Sequence, residues 1–167
     1  MAGAVLLGQP IDGLKDSKLL SKLRRETLAA QIEQEALAVG TGWVWPEEID
    51  MVGISTAVKL AMERALAQIT AAYDEVIIDG NINYLPESPH TRALIKADMT
   101  EPSVSAASIV AKVARDHYMA GLPERYAGYG FARHVGYGTA AHIAALKEFG
   151  VSDIHRRSYK PIKALLA

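Results

Sequence analysis

Glu75-Val76-Ile77-Ile78-Asp79-Gly80-Asn81 is the stretch on which the fold turns. Three β-branched apolar residues in a row suit a buried strand, and Asp-Gly-Asn ends it. The reading is a central strand that closes on Asp79. A second short strand, 91–97, brings Asp98 to a comparable place. Open α/β sheets receive their ligands at the C-terminal ends of strands.

The flanking sequence alternates strands with helices. Ala4-Val5-Leu6-Leu7 is a short apolar run closed by Gly8 and Pro10, and it predicts a strand. Ser21 is an N-cap for a helix to about Glu35, with Leu23, Leu28 and Ile32 on one face. Residues 36–44 predict a further strand. Pro46-Glu47-Glu48 opens a helix that Gly53 interrupts, continuing to Ile69 with Val58, Met62, Ala65, Leu66 and Ile69 inward. The helix 103–119 begins with small residues, Ser105, Ala106, Ala107, Ser108 and Ala111, which let its backbone lie close to a sheet. A glycine- and aromatic-rich loop spans 128–138. Thr139 caps a helix that Gly150 ends, and a short helix at 161–166 closes the chain. The class is α/β in one domain over residues 1–167, of which about 120–167 form a basic, aromatic part.

The 167 residues are 50% apolar and 22% charged, the balance of an ordinary globular protein. With no cysteine, disulfide frameworks, thiolate zinc sites and cysteine nucleophiles are excluded. The longest uncharged stretches are too short to span a bilayer, and no secretory signal is visible. Cytoplasm is the expected compartment. The net charge of −1 conceals an asymmetry. Residues 1–110 carry 9 Lys/Arg against 15 Asp/Glu, whereas residues 111–167 carry 9 against 4. A basic C-terminal third suits an anionic partner.

Two carboxylates at strand ends, Asp79 and Asp98, could share a divalent cation. Asp-Gly-Asn is equally a hairpin-turn signature, and Asp98 could simply cap the following helix. Asp116, beside Arg115, is an exposed charge or an intrahelical pair in its plainest reading. Lys18 could hold a phosphate as a point charge with Ser17 donating a hydrogen bond, or lie in a solvated loop. The C-terminal third interleaves Tyr126, Tyr129, Phe131 and Tyr137 with Arg125, Arg133 and His134; His142, His155, Arg156, Arg157, Tyr159, Lys160 and Lys163 follow. Cations neutralise phosphates and aromatic faces stack on sugars or bases, so this patch points to nucleic acid. Phe131 and Tyr126 are the expected core members. Phosphate loops, dinucleotide fingerprints, paired zinc histidines and nucleophile elbows are all missing.

Seven runs in this order closely resemble ribonuclease HII, the type 2 ribonuclease H family. They are Ile11-Asp12-Gly13-Leu14-Lys15-Asp16-Ser17-Lys18, Glu48-Ile49-Asp50, Ile78-Asp79-Gly80-Asn81, Lys96-Ala97-Asp98, the helix from Ser105 to Asp116, the loop from Gly128 to Thr139, and His155-Arg156-Arg157-Ser158-Tyr159. The resemblance spans essentially the whole chain. It implies a ribonuclease H-like mixed sheet flanked by helices, with a helical C-terminal extension. It also implies a metal-dependent endonuclease of DNA replication and repair, using Mg²⁺ or Mn²⁺. Such an enzyme hydrolyses the RNA strand of RNA–DNA hybrids and cuts at ribonucleotides embedded in duplex DNA, leaving 3′-hydroxyl and 5′-phosphate ends. Asp79 and Asp98 match the third and fourth of four metal-binding acids. Tyr137 matches the tyrosine at the RNA–DNA junction, Ser17 and Lys18 a substrate-phosphate contact, and Asp116 a supporting residue. Arg133, His134, Arg156 and Arg157 are the further nucleic-acid contacts expected. No membrane and no obligate protein partner is implied.

One departure stands out. The family's first strand carries an Asp-Glu pair and a Gly-Arg-Gly turn, and neither occurs here; Met1–Val5 aligns just after that turn. The expectation is a chain lacking its usual first strand and weakened as a catalyst. Two rivals differ in class: a non-catalytic hybrid-binding remnant, and an unrelated phospho-acceptor domain using Asp79.

Overall fold

The computed structural model describes residues 1–14, 17–88 and 90–166. Contacts group them into two compact units, one of Met1–Val44 with Ala57–Val113, the other of Trp45–Thr56 with Ala114–Ala167.

The first unit holds four strands in two ladders. β1 (Ala2–Leu6) pairs antiparallel with β2 (Ala38–Gly42), Val5 opposite Val39. β3 (Val76–Asp79) pairs in parallel with β4 (Thr91–Leu94), Asp79 opposite Leu94. The decisive strand is therefore where the sequence put it, but it is only half-buried: Ile78 alone is fully covered. The last strand stops three residues early. After Leu94 the chain turns through Lys96 in the left-handed region (φ 59°) and enters a short helix, α3 (Ala97–Thr100). Asp98 thus stands in the first turn of a helix rather than at a strand end.

Ser21 caps α1 (Lys22–Glu35) by accepting the Arg24 amide on its hydroxyl at 3.2 Å. Leu28 and Ile32 are fully buried, whereas Leu23 is exposed. Leu23 is five residues from Leu28, about 140° around a helix of 3.6 residues per turn, and so faces away from them. Ile11, Leu28, Ile32, Ala106, Ile109 and Val110 make the core, the last three from α4 (Pro102–Ala120). The small-residue stretch does what its composition implied. A Cβ on Gly3 of β1 would collide with the Ala107 carbonyl.

The same logic corrects the expected inward face of α2 (Pro46–Leu66), which bends at Gly53 (φ 78°). Ala65 is buried as expected, but Ala57 and Ala61 complete the buried face, and the larger Val58, Met62 and Leu66 are only half-buried. Gly40 and Gly42 of β2 explain it: any Cβ there would strike the carbonyls of Ala65 and Ala61. Strand and helix approach so closely that only glycine facing alanine fits.

In the second unit a turn of 3-10 helix (Glu124–Tyr129), α5 (Phe131–His134), α6 (Ala140–Phe149) and α7 (Lys160–Lys163) surround Tyr126, Tyr129, Phe131, Leu146 and Ile162. Phe131 and Tyr126 are core as expected, and Tyr129 joins them. Tyr129 donates its hydroxyl to the Gly150 carbonyl at 3.0 Å, tying the end of α6 to the loop before α5. Trp45 packs on Tyr118, ring centroids 5.5 Å apart. Among the described residues, no helix is long and apolar enough to cross a membrane.

Candidate active site and nucleic-acid interface

Asp79 is the last residue of β3 and is exposed. Its Oδ1 accepts the amide of Ala97 at 3.0 Å, and the Gly80 amide donates to the Leu94 carbonyl at 3.0 Å. The parallel pairing and the left-handed corner at Lys96 thus deliver the start of α3 onto the end of β3. Asp98, the residue after Ala97, is buried to 8% exposure. It lines a shallow cavity of about 170 Å³ with Ile11, Asp12, Leu14, Glu101 and Ser105. The Ala97 amide thus holds the start of α3, and with it the backbone next to Asp98, against the Asp79 carboxylate at one end of the β3–β4 ladder.

Carboxylate oxygens are the ligands that hard divalent cations prefer. Asp79 and Asp98 are of this chemical type. Among the described residues, no group of three or more acidic or histidine side chains is gathered that could hold a metal. The phosphate-contact run divides: Ser17 is buried, Lys18 is exposed in the adjoining 3-10 turn, and Lys15 and Asp16 lie outside the described residues. Arg25 fixes that turn by donating to the Ser17 carbonyl at 3.0 Å.

The second unit carries the remaining candidates. Arg133, Arg157 and Tyr137 are exposed, Tyr137 by 62%. The Arg156 guanidinium lies 4.7 Å over the Tyr159 ring. Asp116 is half-buried on α4. The three histidines placed in the basic patch are instead buried. His134, expected as a nucleic-acid contact, has its Nε2 2.7 Å from the Tyr129 carbonyl, and its ring stacks on His142. His142 and His155 stand 3.1 Å apart, Nε2 to Nε2. Burial lowers the proton affinity of His142 and His155, and all three imidazoles lie in the core of the unit rather than on its surface.

Sequence reasoning passed over one residue it had quoted. Asp50 accepts the amides of Arg157 and Ser158 at 2.7 and 2.9 Å and the Ser158 hydroxyl at 2.5 Å. Partial burial pushes this carboxyl up. The Ser158 hydroxyl, the two amides and the Arg156 charge outweigh that, and hold it below the ordinary carboxylate value. Its place in the run Glu48-Ile49-Asp50 was the available signal.

The family model described as ribonuclease HII matches residues 10–162. The chain belongs to the ribonuclease HII family. Ribonuclease HII of Polynucleobacter necessarius is 49% identical over 99% of this chain and 87% of the relative; that of Dichelobacter nodosus is 50% identical over 99% and 88%. Among solved structures, the ribonuclease HII in a PCNA complex from Archaeoglobus fulgidus aligns with TM-score 0.72 and 27% identity over 89% of this chain and 79% of that one. Ribonuclease H2 of Pyrococcus horikoshii shares the fold, with TM-score 0.70 and 24% identity over 92% and 80%. As a ribonuclease HII, the chain has the ribonuclease H-like fold and is a ribonuclease H endonuclease of a generally divalent-metal-dependent family.

Proposed function

We propose that this ribonuclease HII uses Asp79 and Asp98 to hold Mn²⁺ or Mg²⁺ while it hydrolyses the RNA strand of RNA–DNA hybrids and cuts at single ribonucleotides within duplex DNA. The carrying observation is the hydrogen bond from the Ala97 amide to Asp79, which holds the backbone next to Asp98 against the Asp79 carboxylate at one ladder end. A bound divalent ion would supply an activated water and charge stabilisation at the leaving oxygen, which would leave 3′-hydroxyl and 5′-phosphate ends. Asp79, fixed by that amide, and Asp98, set in its cavity, would hold that ion at the ladder end. Lys18 neutralises a neighbouring phosphate, with Ser17 shaping its turn. Arg133, Arg156 and Arg157 bind backbone phosphates, Tyr137 packs at the ribose where the 2′-hydroxyl separates RNA from DNA, and Asp116 supports the site. His134 braces the loop instead. Removal of ribonucleotides from DNA belongs to replication and repair in the cytoplasm.

Because no group of three or more metal-ligating side chains is gathered among the described residues, a hybrid-binding protein without cleavage is the second reading. A duplex with one ribonucleotide, incubated with Mn²⁺, decides between them. Cleavage at the ribonucleotide that Asp79→Asn lowers by about three powers of ten or more supports the proposal. Binding without cleavage supports the second reading.

A further inference from the structure

The histidines inside the second unit have their protons assigned by neighbouring amides. The Ser152 amide donates to His155 Nδ1 at 3.2 Å, and the Ser152 hydroxyl lies 2.7 Å from the same atom. A ring nitrogen that accepts carries no hydrogen, so neutral His155 holds its proton on Nε2. That nitrogen faces His142 Nε2 at 3.1 Å, which must then accept. The proton of His142 is left on Nδ1, 3.0 Å from the Tyr137 carbonyl. Each link admits one assignment, and the series ends on the backbone of the most exposed aromatic of its loop.

That residue, Tyr137, sits between glycines. Gly136 (φ 83°) and Gly138 flank it, and Val135 sits at φ 44°, a left-handed conformation unfavourable to a branched side chain. The Tyr137 amide donates to the His134 carbonyl at 2.8 Å, and its carbonyl also takes the Thr139 amide at 2.8 Å. We propose that His155 and His142 are positioning residues, a relay of neutral imidazoles that sets the backbone of Tyr137 and hence the pose of its ring toward substrate. This rests on reading Tyr137 as the residue that meets the ribose.

The surroundings keep the relay neutral. His142 is stacked on His134 with centroids 4.6 Å apart and meets the edge of Phe131; His155 lies against Tyr129 and Phe131. Burial lowers the proton affinity of both rings. For His142 the Tyr137 carbonyl opposes this and His134 reinforces it; for His155 the charge of His142 reinforces it. Asp153 is the nearby acid, and it is engaged by the Tyr126 hydroxyl at 2.6 Å and by Arg125. A histidine whose folded value lies below its ordinary 6.5 costs nothing above that pH. As pH falls through 6.5, the unfolded chain takes up protons that the folded one refuses, and the unit loses stability down to the folded value. Protonating either ring also puts two N–H groups face to face.

Two measurements test the relay. Imidazole ¹⁵N spectra of the whole chain near neutral pH should show His142 protonated on Nδ1 and His155 on Nε2; the opposite tautomers overturn the proposal whatever Tyr137 does. The second reads the ratio of affinities for a duplex with one ribonucleotide and an all-DNA duplex, measured without metal so that nothing is cut. His142→Phe should lower this ratio about fivefold, the worth of one lost hydrogen bond. His142→Asn, whose amide can replace Nδ1, should restore most of it. If Tyr137→Ala lowers the ratio while His142→Phe does not, or if the two effects add, the relay is wrong. If Tyr137→Ala leaves the ratio intact, the reading of Tyr137 fails and the spectra alone decide the relay.

Discussion

The two units of the chain solve opposite packing problems. The first is held by absence: Gly3, Gly40 and Gly42 have no side chains because helix carbonyls occupy that space. The second is held by bulk, with Tyr126, Tyr129 and Phe131 ringed by three imidazoles. Close backbone contact gives a rigid frame on which two acids can be fixed. A core of hydrogen-bonding rings gives a loop whose exposed residues are held by polar links that can be made or broken. The first arrangement suits a site that must not move, the second a surface that must fit a polymer.

Substitutions can sharpen that contrast. Phe131→Ala removes the central ring of the second core and should cost about 3–5 kcal/mol in urea unfolding. Substrate-independent structure of the first unit should survive it, as read by hydrogen exchange at Ile32 and Ile109. Gly42→Ala adds one methyl group against the Ala61 carbonyl and should cost about 1–3 kcal/mol, an overpacking penalty. If it is neutral, the close approach of β2 to α2 is not a constraint. The smallest effect concerns the tail. Arg156→Ala with Arg157→Ala should reduce the log–log salt slope of hybrid binding by roughly two units, one per lost phosphate contact. Asp50→Ala, which frees the backbone carrying them, should weaken binding by about 1 kcal/mol or less. An unchanged slope in the double variant would remove the tail from the interface.

Much of this was legible in the sequence, and the exceptions have physical causes. Val76–Asp79 could be read because β-branched residues and a glycine turn act locally. Ser21, Thr139 and Gly150 could be read because caps are local too. Most of the inward face of α2 could not, because hydropathy favours Val58 and Met62 while Gly40 and Gly42 of a strand distant in sequence demand alanine. The sequence reads Asp98 at a strand end, because the left-handed corner at Lys96 has no glycine to announce it. His134, His142 and His155 were read as basic because composition counts imidazoles without regard to burial. The pairing of Asp79 with the Ala97 amide is a product of parallel register, which no motif spells out.

The chain has only two tryptophans, Trp43 and Trp45, and the division between units falls between them. Trp43 belongs to the first unit, where its carbonyl takes the Arg64 guanidinium; Trp45 belongs to the second, against Tyr118. Two emitters one residue apart in sequence thus report on different bodies. With Trp45→Phe the remaining emission follows the frame that carries the acids. With Trp43→Phe it follows the unit that carries Tyr137 and the arginines. A titration with duplex or denaturant, run once on each variant, would then show whether the two respond together or in turn, with no label attached.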